Sequence, residues 1–383
     1  MHDTKTILFL TGTRADFGKL RPLIRRVSEA PGFDYAVFAT GMHMLSRYGS
    51  TVHEIRKAGF DKVYSYINQD GSVNSQMDLV LANTIQGLGH YIREFPPDLI
   101  VVHGDRPEAL AGAVVGAFNN VLVAHIEGGE ISGTIDELIR HSVSKLAHLH
   151  FVANNEARGR LIQMGESGRK VYVIGSPDID VMLSDDLPPL ADVRDKYAIP
   201  FLRYVILIYH PVTTELPSLR GNARALFEAL ERSGENVVAI YPNNDSGSEV
   251  ILEELEAYRG HERFRLLPSM RFEYFLSLLK NGKAIVGNSS AGIREAPVYC
   301  VPTVNVGTRQ LNRSNHPSIV NVPENREAIL AALRSLPAPT EPSTHFGRGD
   351  SARRFLLALS DPGLWETPCQ KQFLDLVAPD AGG

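Results

Sequence analysis

Short apolar runs that end in glycine and polar residues recur along the chain and alternate with amphipathic segments. In the N-terminal half these runs occupy residues 5–10, 33–40, 99–102, 121–124 and 171–174. A short, continuous apolar run is typical of a parallel strand that is buried on both faces. Helical periodicity fills the gaps between the runs, at residues 45–58, 74–94, 108–118 and 134–147, and a further helix begins near Asp16. This alternation predicts an α/β domain with a parallel sheet.

The same alternation starts again in the second half, after the polar, proline-rich stretch 185–189. Apolar runs occupy residues 204–209, 236–241, 264–267, 284–287 and 302–306, and a helix is predicted at residues 271–280. We therefore expect two Rossmann-like domains that face each other across a cleft. The first spans residues 1–184 and is joined by the C-terminal segment 351–383, which starts with a helix at 351–359; the second spans residues 185–350.

Composition narrows the function classes. The chain has 383 residues and a formal net charge of −5, whereas nucleic-acid-binding proteins normally carry a basic surplus. The two cysteines, Cys300 and Cys369, show no metal-type spacing and favour a reducing compartment. No apolar run approaches the roughly 20 residues that span a bilayer. These features predict a soluble, cytoplasmic protein that binds neither nucleic acid nor membrane.

Acidic residues follow the apolar runs in the middle of the first half. Asp105 and Arg106 come after the run at 99–102, Glu127 and Glu130 after the run at 121–124, and Asp136 opens the next helix. Ligands of open α/β sheets bind beyond the carboxyl ends of the strands. We therefore expect these side chains, with His125, at one rim of the sheet. Taken singly, each also has a structural explanation as a turn or first-turn helix residue.

Three further stretches have the composition of anion sites. Residues 11–18 (TGTRADFG) join a strand to a helix whose free N–H groups suit an anion, and Arg14 adds a forked donor. Ser289 and Ser290 lie at a similar junction, followed by Glu295, which could accept ribose hydroxyls or serve as an ordinary first-turn acid. Arg309 and His210 end two other strands of the second half and could balance phosphate charge. The chain contains neither a P-loop nor a GxGxxG motif.

Taken together, these motifs resemble the hydrolysing UDP-N-acetylglucosamine 2-epimerases, which make N-acetylmannosamine and UDP for sialic acid synthesis. The resemblance is strong from about residue 7 to 310 and weaker in the tail, and it is closest to bacterial enzymes of sialylated capsule pathways. It is carried by the motifs TGTRADFGK (11–19), HGDR (103–106), HIEGGE (125–130), SGTID (132–136), IRH (139–141), HPVTT (210–214), NND (243–245), GNSS (287–290), RE (294–295) and GTR (307–309).

The resemblance implies a GT-B-like α/β fold, no cofactor, no metal, and assembly as a homodimer or homotetramer. Matching the family's reactive positions implies catalytic roles for Asp105, Glu127, Asp136 and His210. The implied contacts to UDP-N-acetylglucosamine and UDP are Arg14, Gly18, Lys19, Arg106, Gly175, Asn243, Asp245, Ser289, Ser290, Glu295 and Arg309. Some relatives have serine where this chain has Gly18, so a side-chain phosphate contact is missing there and backbone N–H groups would replace it.

Four alternatives remain open at this stage. A non-hydrolysing 2-epimerase would return UDP to C1 of the sugar. The same chemistry could act on a UDP-2,4-diacetamido-trideoxy sugar or on a GDP-sugar. A catalytically inactive nucleotide-sugar binder would not need the intact acids and His210. A glycosyltransferase would share the fold but needs an acceptor site that the sequence does not reveal.

Overall fold

The structure is a computed structural model that describes residues 4–46, 49–69, 77–131, 135–212, 214–242, 247–311, 314–338 and 341–375. The chain divides into two compact units. The first contains residues 1–183 together with 345–383, and the second contains residues 184–344. Both units are parallel α/β sheets, which confirms the predicted fold class of two Rossmann-like domains.

Within the described residues, the sheet of the first unit has seven parallel strands in the order β3-β2-β1-β4-β5-β6-β7. These strands are β1 (Lys5–Thr11), β2 (Phe33–Ala39), β3 (Val63–Ser65), β4 (Leu99–His103), β5 (Leu122–Ile126), β6 (Leu149–Val152) and β7 (Val171–Val173). The helices between them are α1 (Arg14–Ser28), α2 (Val52–Lys57), α3 (Met77–Glu94), α4 (Pro107–Phe118), α5 (Ile135–Leu146), α6 (Asn155–Gln163) and α7 (Pro177–Met182).

The second unit repeats this plan with six described strands in the order β10-β9-β8-β11-β12-β13. These strands are β8 (Val205–Ile208), β9 (Val237–Ile240), β10 (Phe264–Leu267), β11 (Ala284–Gly287), β12 (Thr303–Val306) and β13 (Ile319–Val322). Its helices are α8 (Leu190–Tyr197), α9 (Leu219–Ser233), α10 (Ser248–Glu256), α11 (Phe272–Lys280), α12 (Ala291–Arg294) and α13 (Arg326–Arg334). The chain then returns to the first unit with α14 (Ser351–Leu359) and α15 (Pro362–Trp365).

Both faces of the first sheet are buried, as the unbroken apolar runs predict. Alternate residues of β1 point to opposite sides: Ile7 and Phe9 pack with α1 and the C-terminal Phe355, while Leu8 and Leu10 pack towards α3, α4 and α5. A side chain on Gly112 of α4 would lie 2.5 Å from Val102, so glycine lets this helix lie directly on the sheet. Polar chemistry is thereby confined to the ends of the strands.

The helix predicted at residues 45–58 is wrong in its first half, since α2 begins only at Val52. The backbone of Gly49 has φ +85° and that of Ser50 has φ +46°, both in the left-handed region that a right-handed helix cannot contain. The described parts of the other predicted helices are confirmed to within two residues at each end, and 351–359 is observed with the predicted bounds. Residues 74–76 and 134 of the predicted helices lie outside the described residues. The edge strands β3 and β13 and the inner strand β6 were not predicted.

The C-terminal segment is tied to the first unit by a buried ionic cluster. The Glu166 side chain is 1% exposed and contacts Lys145 at 2.8 Å, His150 at 3.0 Å and Lys371 at 2.5 Å. Lys371 also donates to the backbone carbonyl oxygens of Ser144, Lys145 and Ala147 at the end of α5. Burial would raise the pKa of Glu166, but its contacts with His150, Lys145 and Lys371 outweigh burial and lower the pKa to about 2.

Replacing Lys371 should therefore destabilise the first unit. We expect Lys371→Met to lower the free energy of unfolding by about 1–3 kcal/mol, because it leaves buried acceptors without their donor. Chemical denaturation followed by circular dichroism measures this. Lys170→Met is the matched control, since Lys170 also reaches a C-terminal carbonyl, that of Gly363 at 3.3 Å, but from an exposed position.

The pH dependence of the Lys371 effect has a defined sign. The pKa of Glu166 is depressed on folding, from 4.5 to about 2, so its stabilising contribution is present above about pH 4.5 and is lost as the pH falls towards 2. The difference in the free energy of unfolding between wild type and Lys371→Met should therefore become smaller as the pH falls from about 4.5 towards 2. Equal stability losses in Lys371→Met and Lys170→Met would show that the cluster does not hold the C-terminal segment.

Candidate active site

The strand order of each sheet reverses once, and some of the predicted site residues follow the strands on either side of that reversal, whereas Glu127 follows β5, one strand further along. In the first unit the reversal lies between β1 and β4, and in the second between β8 and β11. Adjacent connections leave such a point on opposite faces of the sheet, which opens a crevice beyond the strand ends. The crevice of the first unit receives residues 12–13 and 104–106, and that of the second receives His210 and Ser289.

The loop after β1 is held by a reciprocal helix cap. Thr13 caps α1 by accepting from the backbone N–H of Asp16, while the Asp16 carboxylate accepts from the backbone N–H groups of Gly12 at 3.2 Å and Thr13 at 3.1 Å. This capping box fixes the loop against the start of the helix. Burial would raise the pKa of Asp16, but His103, Arg106 and the loop N–H of Gly12 lower it, so Asp16 is an anion.

The predicted residues of α1 point to different partners. The Arg14 side chain is 44% exposed, and its Nε donates to Glu54 of α2 at 2.9 Å. A Cβ on Gly18 would have no atom within 4 Å, so the position has room for the serine that some relatives carry. Lys19 reaches into the site and contacts Glu127 at 2.7 Å and Asp178 at 3.4 Å. Lys19, predicted as a substrate contact, is thus joined to a predicted catalytic acid.

Glu127 lies directly after β5, in a left-handed backbone conformation with φ +62°. One carboxylate oxygen contacts both Lys19 Nζ and His103 Nε2, the latter at 3.1 Å, and the other accepts from the hydroxyl of Ser176. The residue is only 5% exposed. A non-glycine residue in this conformation is strained unless its surroundings hold it, and strain of this kind is concentrated at functional sites.

Asp105 contacts an arginine on the helix that Asp136 opens. Asp105 follows β4 and Gly104, and its carboxylate contacts the guanidinium of Arg140. Arg140 lies on α5, one turn after the exposed Asp136, and also donates to the backbone carbonyl of Glu130 at 3.0 Å. Residues four apart share a helix face, so Asp136 projects from the same side of α5 as the arginine that binds Asp105.

A buried carboxyl group supports Arg106 and the glycines beside it. Glu108, in the first turn of α4, is 2% exposed, and its carboxylate lies 3.5 Å from Arg106 Nε. Neither carboxylate oxygen has a hydrogen-bond partner among the described residues, and burial raises the pKa of Glu108. A Cβ on Gly12 would lie 2.8 Å from the Glu108 carboxyl carbon, and one on Gly41 2.5 Å from its oxygen. Sequence reasoning missed Glu108, although an acid within three residues of Asp105 was a visible signal.

Two other residues near these strand ends have packing roles. His125, which the sequence analysis expected at the rim, is fully buried, and its ring contacts Gly104 O at 2.8 Å and Ser144 Oγ at 3.0 Å. Burial lowers the pKa of His125 to about 3, so the ring is neutral. That expectation was wrong, because residues of one strand alternate between its two faces and His125 turns towards α5. Gly175 has φ +90° and packs against Gly347 of the returning chain.

In the second unit, Asn288 joins the two strand ends at the reversal. It is fully buried; its side-chain oxygen accepts from the backbone N–H of His210 at 2.7 Å, and its amide donates back to His210 O at 2.8 Å. Arg309 and Gln310 both donate to the Asn288 carbonyl at 3.2 Å. Asn288 therefore fixes the backbone of His210 and the position of Arg309. It was quoted in a motif but not predicted as a site residue.

The serine loop leads into a helix shorter than expected. Ser290 precedes α12, which has four residues, and Ser289 accepts from the backbone N–H of Ala291 at 3.3 Å. Glu295 lies at the end of that helix, before a second short helical turn, rather than within a longer helix. The predicted contacts Asn243 and Asp245 lie outside the described residues.

Two further observations concern metals and membranes. Among the residues that the structure describes, no group of three or more histidine, cysteine, aspartate or glutamate side chains could hold a metal ion. In the same ranges no helix has the length and apolar character needed to cross a bilayer.

Comparison with known proteins identifies the family. A sequence profile described as UDP-N-acetylglucosamine 2-epimerase matches residues 25–360. The chain is 47% identical over 377 residues to the UDP-N-acetylglucosamine 2-epimerase of Neisseria meningitidis serogroup B, an alignment that covers 97% of this chain and 99% of that protein. It is 33% identical over 333 residues to the UDP-N,N'-diacetylbacillosamine 2-epimerase (hydrolyzing) of Legionella pneumophila, covering 86% and 88% of the two chains.

The fold agrees with that of a solved structure. The crystal structure of a UDP-GlcNAc 2-epimerase from Neisseria meningitidis bound to UDP-GlcNAc superposes with a TM-score of 0.77 at 18% identity, covering 92% of this chain and 99% of that one. The class is thus that of nucleotide-sugar 2-epimerases. The chain belongs to the UDP-N-acetylglucosamine 2-epimerase family.

Two glycines of the first loop and helix should respond in opposite ways to alanine. Gly12→Ala should lower the free energy of unfolding by about 1–3 kcal/mol, because the new methyl group would meet the buried Glu108 side chain. Gly18→Ala should instead raise it by about 0.5–1 kcal/mol, since the position is helical and has open space around it. Thermal and chemical denaturation of both variants tests this, and a stable Gly12→Ala would mean that Glu108 does not support the loop.

Proposed function

We propose that the protein is a hydrolysing UDP-N-acetylglucosamine 2-epimerase that releases N-acetylmannosamine and UDP, as the first step of sialic acid synthesis. The observation that carries the proposal is the placement of Asp105, Glu127 and Asp136. Asp105 and Glu127 follow neighbouring strands of the first unit, and Asp136 opens the next helix. Glu127 contacts Lys19, Asp105 contacts Arg140, and Asp136 lies on the same helix face as Arg140. Such a set supplies the proton transfers that epimerisation at C2 requires.

The first half of the reaction is an elimination. The bond between C1 and the β-phosphate oxygen breaks, and its electron pair leaves with UDP. Arg309 and the serine loop supply positive charge and N–H groups for the developing phosphate charge, and His210 can protonate or balance it. Carboxylates stabilise the oxocarbenium-like C1, which makes the C2 proton acidic. One carboxylate then takes that proton, giving 2-acetamidoglucal.

The second half is a hydration. Water adds to C1 while an acid delivers a proton to C2 from the opposite face, which yields N-acetylmannosamine. This sequence needs two carboxyl groups that differ in protonation state at the same pH. The surroundings of two of the acids differ: Glu127 is buried against Lys19 and His103, whereas Asp136 is exposed at the start of a helix.

Hydrolysis, rather than return of UDP to C1, is supported by two features. The motifs at residues 11–16 and 103–106 resemble those of hydrolysing enzymes. The Legionella relative, 33% identical, is also named as hydrolyzing.

That same relative favours a second candidate substrate, a UDP-2,4-diacetamido-trideoxy sugar, for the same chemistry. We favour UDP-N-acetylglucosamine because the Neisseria relative named for that substrate is more similar, at 47% identity. Competition between the two sugars, measured as kcat/KM for each, separates these candidates.

Incubation with UDP-N-acetylglucosamine in D₂O tests the reaction directly. We expect NMR to show free UDP and N-acetylmannosamine carrying deuterium at C2, because the returned proton comes from an acid that has exchanged with solvent. A UDP-linked mannosamine product would instead identify a non-hydrolysing epimerase. Protium retained at C2 would exclude two separate acid–base groups.

Conversion of each acid to its amide tests the catalytic assignments. Asp105→Asn, Glu127→Gln and Asp136→Asn should each lower turnover by about 100-fold or more while UDP affinity stays within a few-fold, because amides keep the shape but cannot exchange the C2 proton. Turnover assays and calorimetry with UDP measure the two quantities. Glu137→Gln is the control, because it removes the charge of the acid next to Asp136. Glu137 contacts His141 at 3.4 Å. A variant that releases 2-acetamidoglucal would assign its residue to hydration.

A further inference from the structure

His103 contacts a predicted catalytic acid, and none of the assigned roles includes it. It is the last residue of β4, next to Ile126 of β5 in the parallel register, so its ring lies beside the start of the Glu127 loop. Its side chain is 10% exposed, and Nε2 lies 3.1 Å from Glu127 Oε2. The same carboxylate oxygen binds Lys19, so two cationic side chains meet at one atom of Glu127.

The other ring nitrogen faces a second carboxylate. His103 Nδ1 lies 3.7 Å from Asp16 Oδ1, which is an ionic contact rather than a direct hydrogen bond. Asp16 cannot easily move away, because its other oxygen accepts two backbone N–H groups of the β1 loop, while Thr13 caps α1 by accepting from the backbone N–H of Asp16. The histidine ring therefore lies between a structural anion and a catalytic one.

We propose that His103 is a positioning residue: anchored by Asp16, its imidazolium ring holds the Glu127 carboxylate as an anion in one orientation for proton transfer at C2 of the sugar. This inference rests on the proposed function. His103 needs no contact with the substrate, since it acts through Glu127. Ser176 holds the second oxygen of Glu127, so both ends of the carboxylate are fixed.

The charges around the ring determine its protonation. Burial alone would lower the pKa of His103, but Asp16 and Glu127 outweigh it and raise the pKa to about 9. Asp16 and Lys19 of α1, together with Glu127 after β5 and the neutral His125 of β5, face the ring. Two further charges act indirectly: Asp178 of α7 contacts Lys19, and Arg106 interacts with Asp16. His103 is therefore a cation at neutral pH and loses its proton only near pH 9.

While His103 is charged it favours the ionised form of Glu127, so removing that charge raises the pKa of Glu127. His103→Gln keeps a side-chain N–H donor and removes the charge. We expect this variant to lower kcat by about 10-fold or more with KM within a few-fold, and to move the acidic limb of the kcat–pH profile upward by about one pH unit. The wild-type decline near pH 9 should disappear from the profile of the variant.

The control is His148→Gln, which removes another histidine of the first unit. His148 binds the backbone N–H of Val123 at 3.0 Å and the carbonyl of Cys369 at 3.0 Å, away from Glu127. Its pH profile should match wild type. Two results would overturn the inference: a kcat–pH profile of His103→Gln that matches wild type, or a kcat that is lower by the same factor at every pH. Loss of a merely structural histidine would not change the pH values at which kcat rises and declines.

A second measurement does not depend on turnover or on the folding of His103→Gln. Histidine-selective ¹⁵N NMR of wild type should show one ring, assigned to His103, that stays charged at pH 7.5, and Glu127→Gln should lower its pKa. A ring that titrates near the ordinary value of 6.5 in both proteins would refute the proposal. If this coupling is present but no N-acetylmannosamine forms, the contact stands and the proposed function fails.

Discussion

Burial of both faces of each parallel sheet is the constraint from which the rest of the structure follows. Apolar strands are covered by helices on both sides, so a charged side chain inside either layer would lose its hydration without compensation. The strand ends are where polar groups and apolar packing meet. The reversal of strand order then selects one place along each row of strand ends, between β1 and β4 and between β8 and β11. Because charged side chains can lie only at the strand ends, the fold also determines where the reactive groups are placed.

Charged and N–H groups contact the acids of the first unit. Glu127, Asp105 and Asp16 each contact a cation or a set of N–H groups, and the cations are in turn fixed by α1, β4 and α5. A buried ion pair contributes little net stability, but loss of one partner leaves an uncompensated charge. A cluster of this kind therefore holds its members in one geometry, which proton transfer at a single carbon requires. It also makes the site sensitive to any change that removes a single charge.

Local pattern was sufficient for ten of the thirteen described strands, for the longest helices of the first unit and for the acids at the strand ends. Asp105 and Glu127 could be predicted because apolar runs stop just before them, and parallel strands bring their ends together. His103 and Asn288 could not be singled out as site residues, because each acts through a contact with a distant segment: His103 with Asp16, and Asn288 with His210. Glu108 looked like an ordinary first-turn acid, since its burial against Gly12 and Gly41 depends on three separate strand ends. The break at Gly49 and Ser50 was hidden by helical spacing around it.

The return of the chain to the first unit has a consequence for biosynthesis. Phe355 packs against Phe9 and Phe151 in the core of the first unit, yet it is synthesised long after β7, the last strand of that sheet, which ends at Val173. On the ribosome, all of the second unit emerges before this core can close. The second unit can therefore reach its native state while the first still exposes an uncovered apolar face. On nascent chains, chaperones that bind exposed apolar surface would therefore bind the first unit for longer than the second, although the first unit is synthesised earlier.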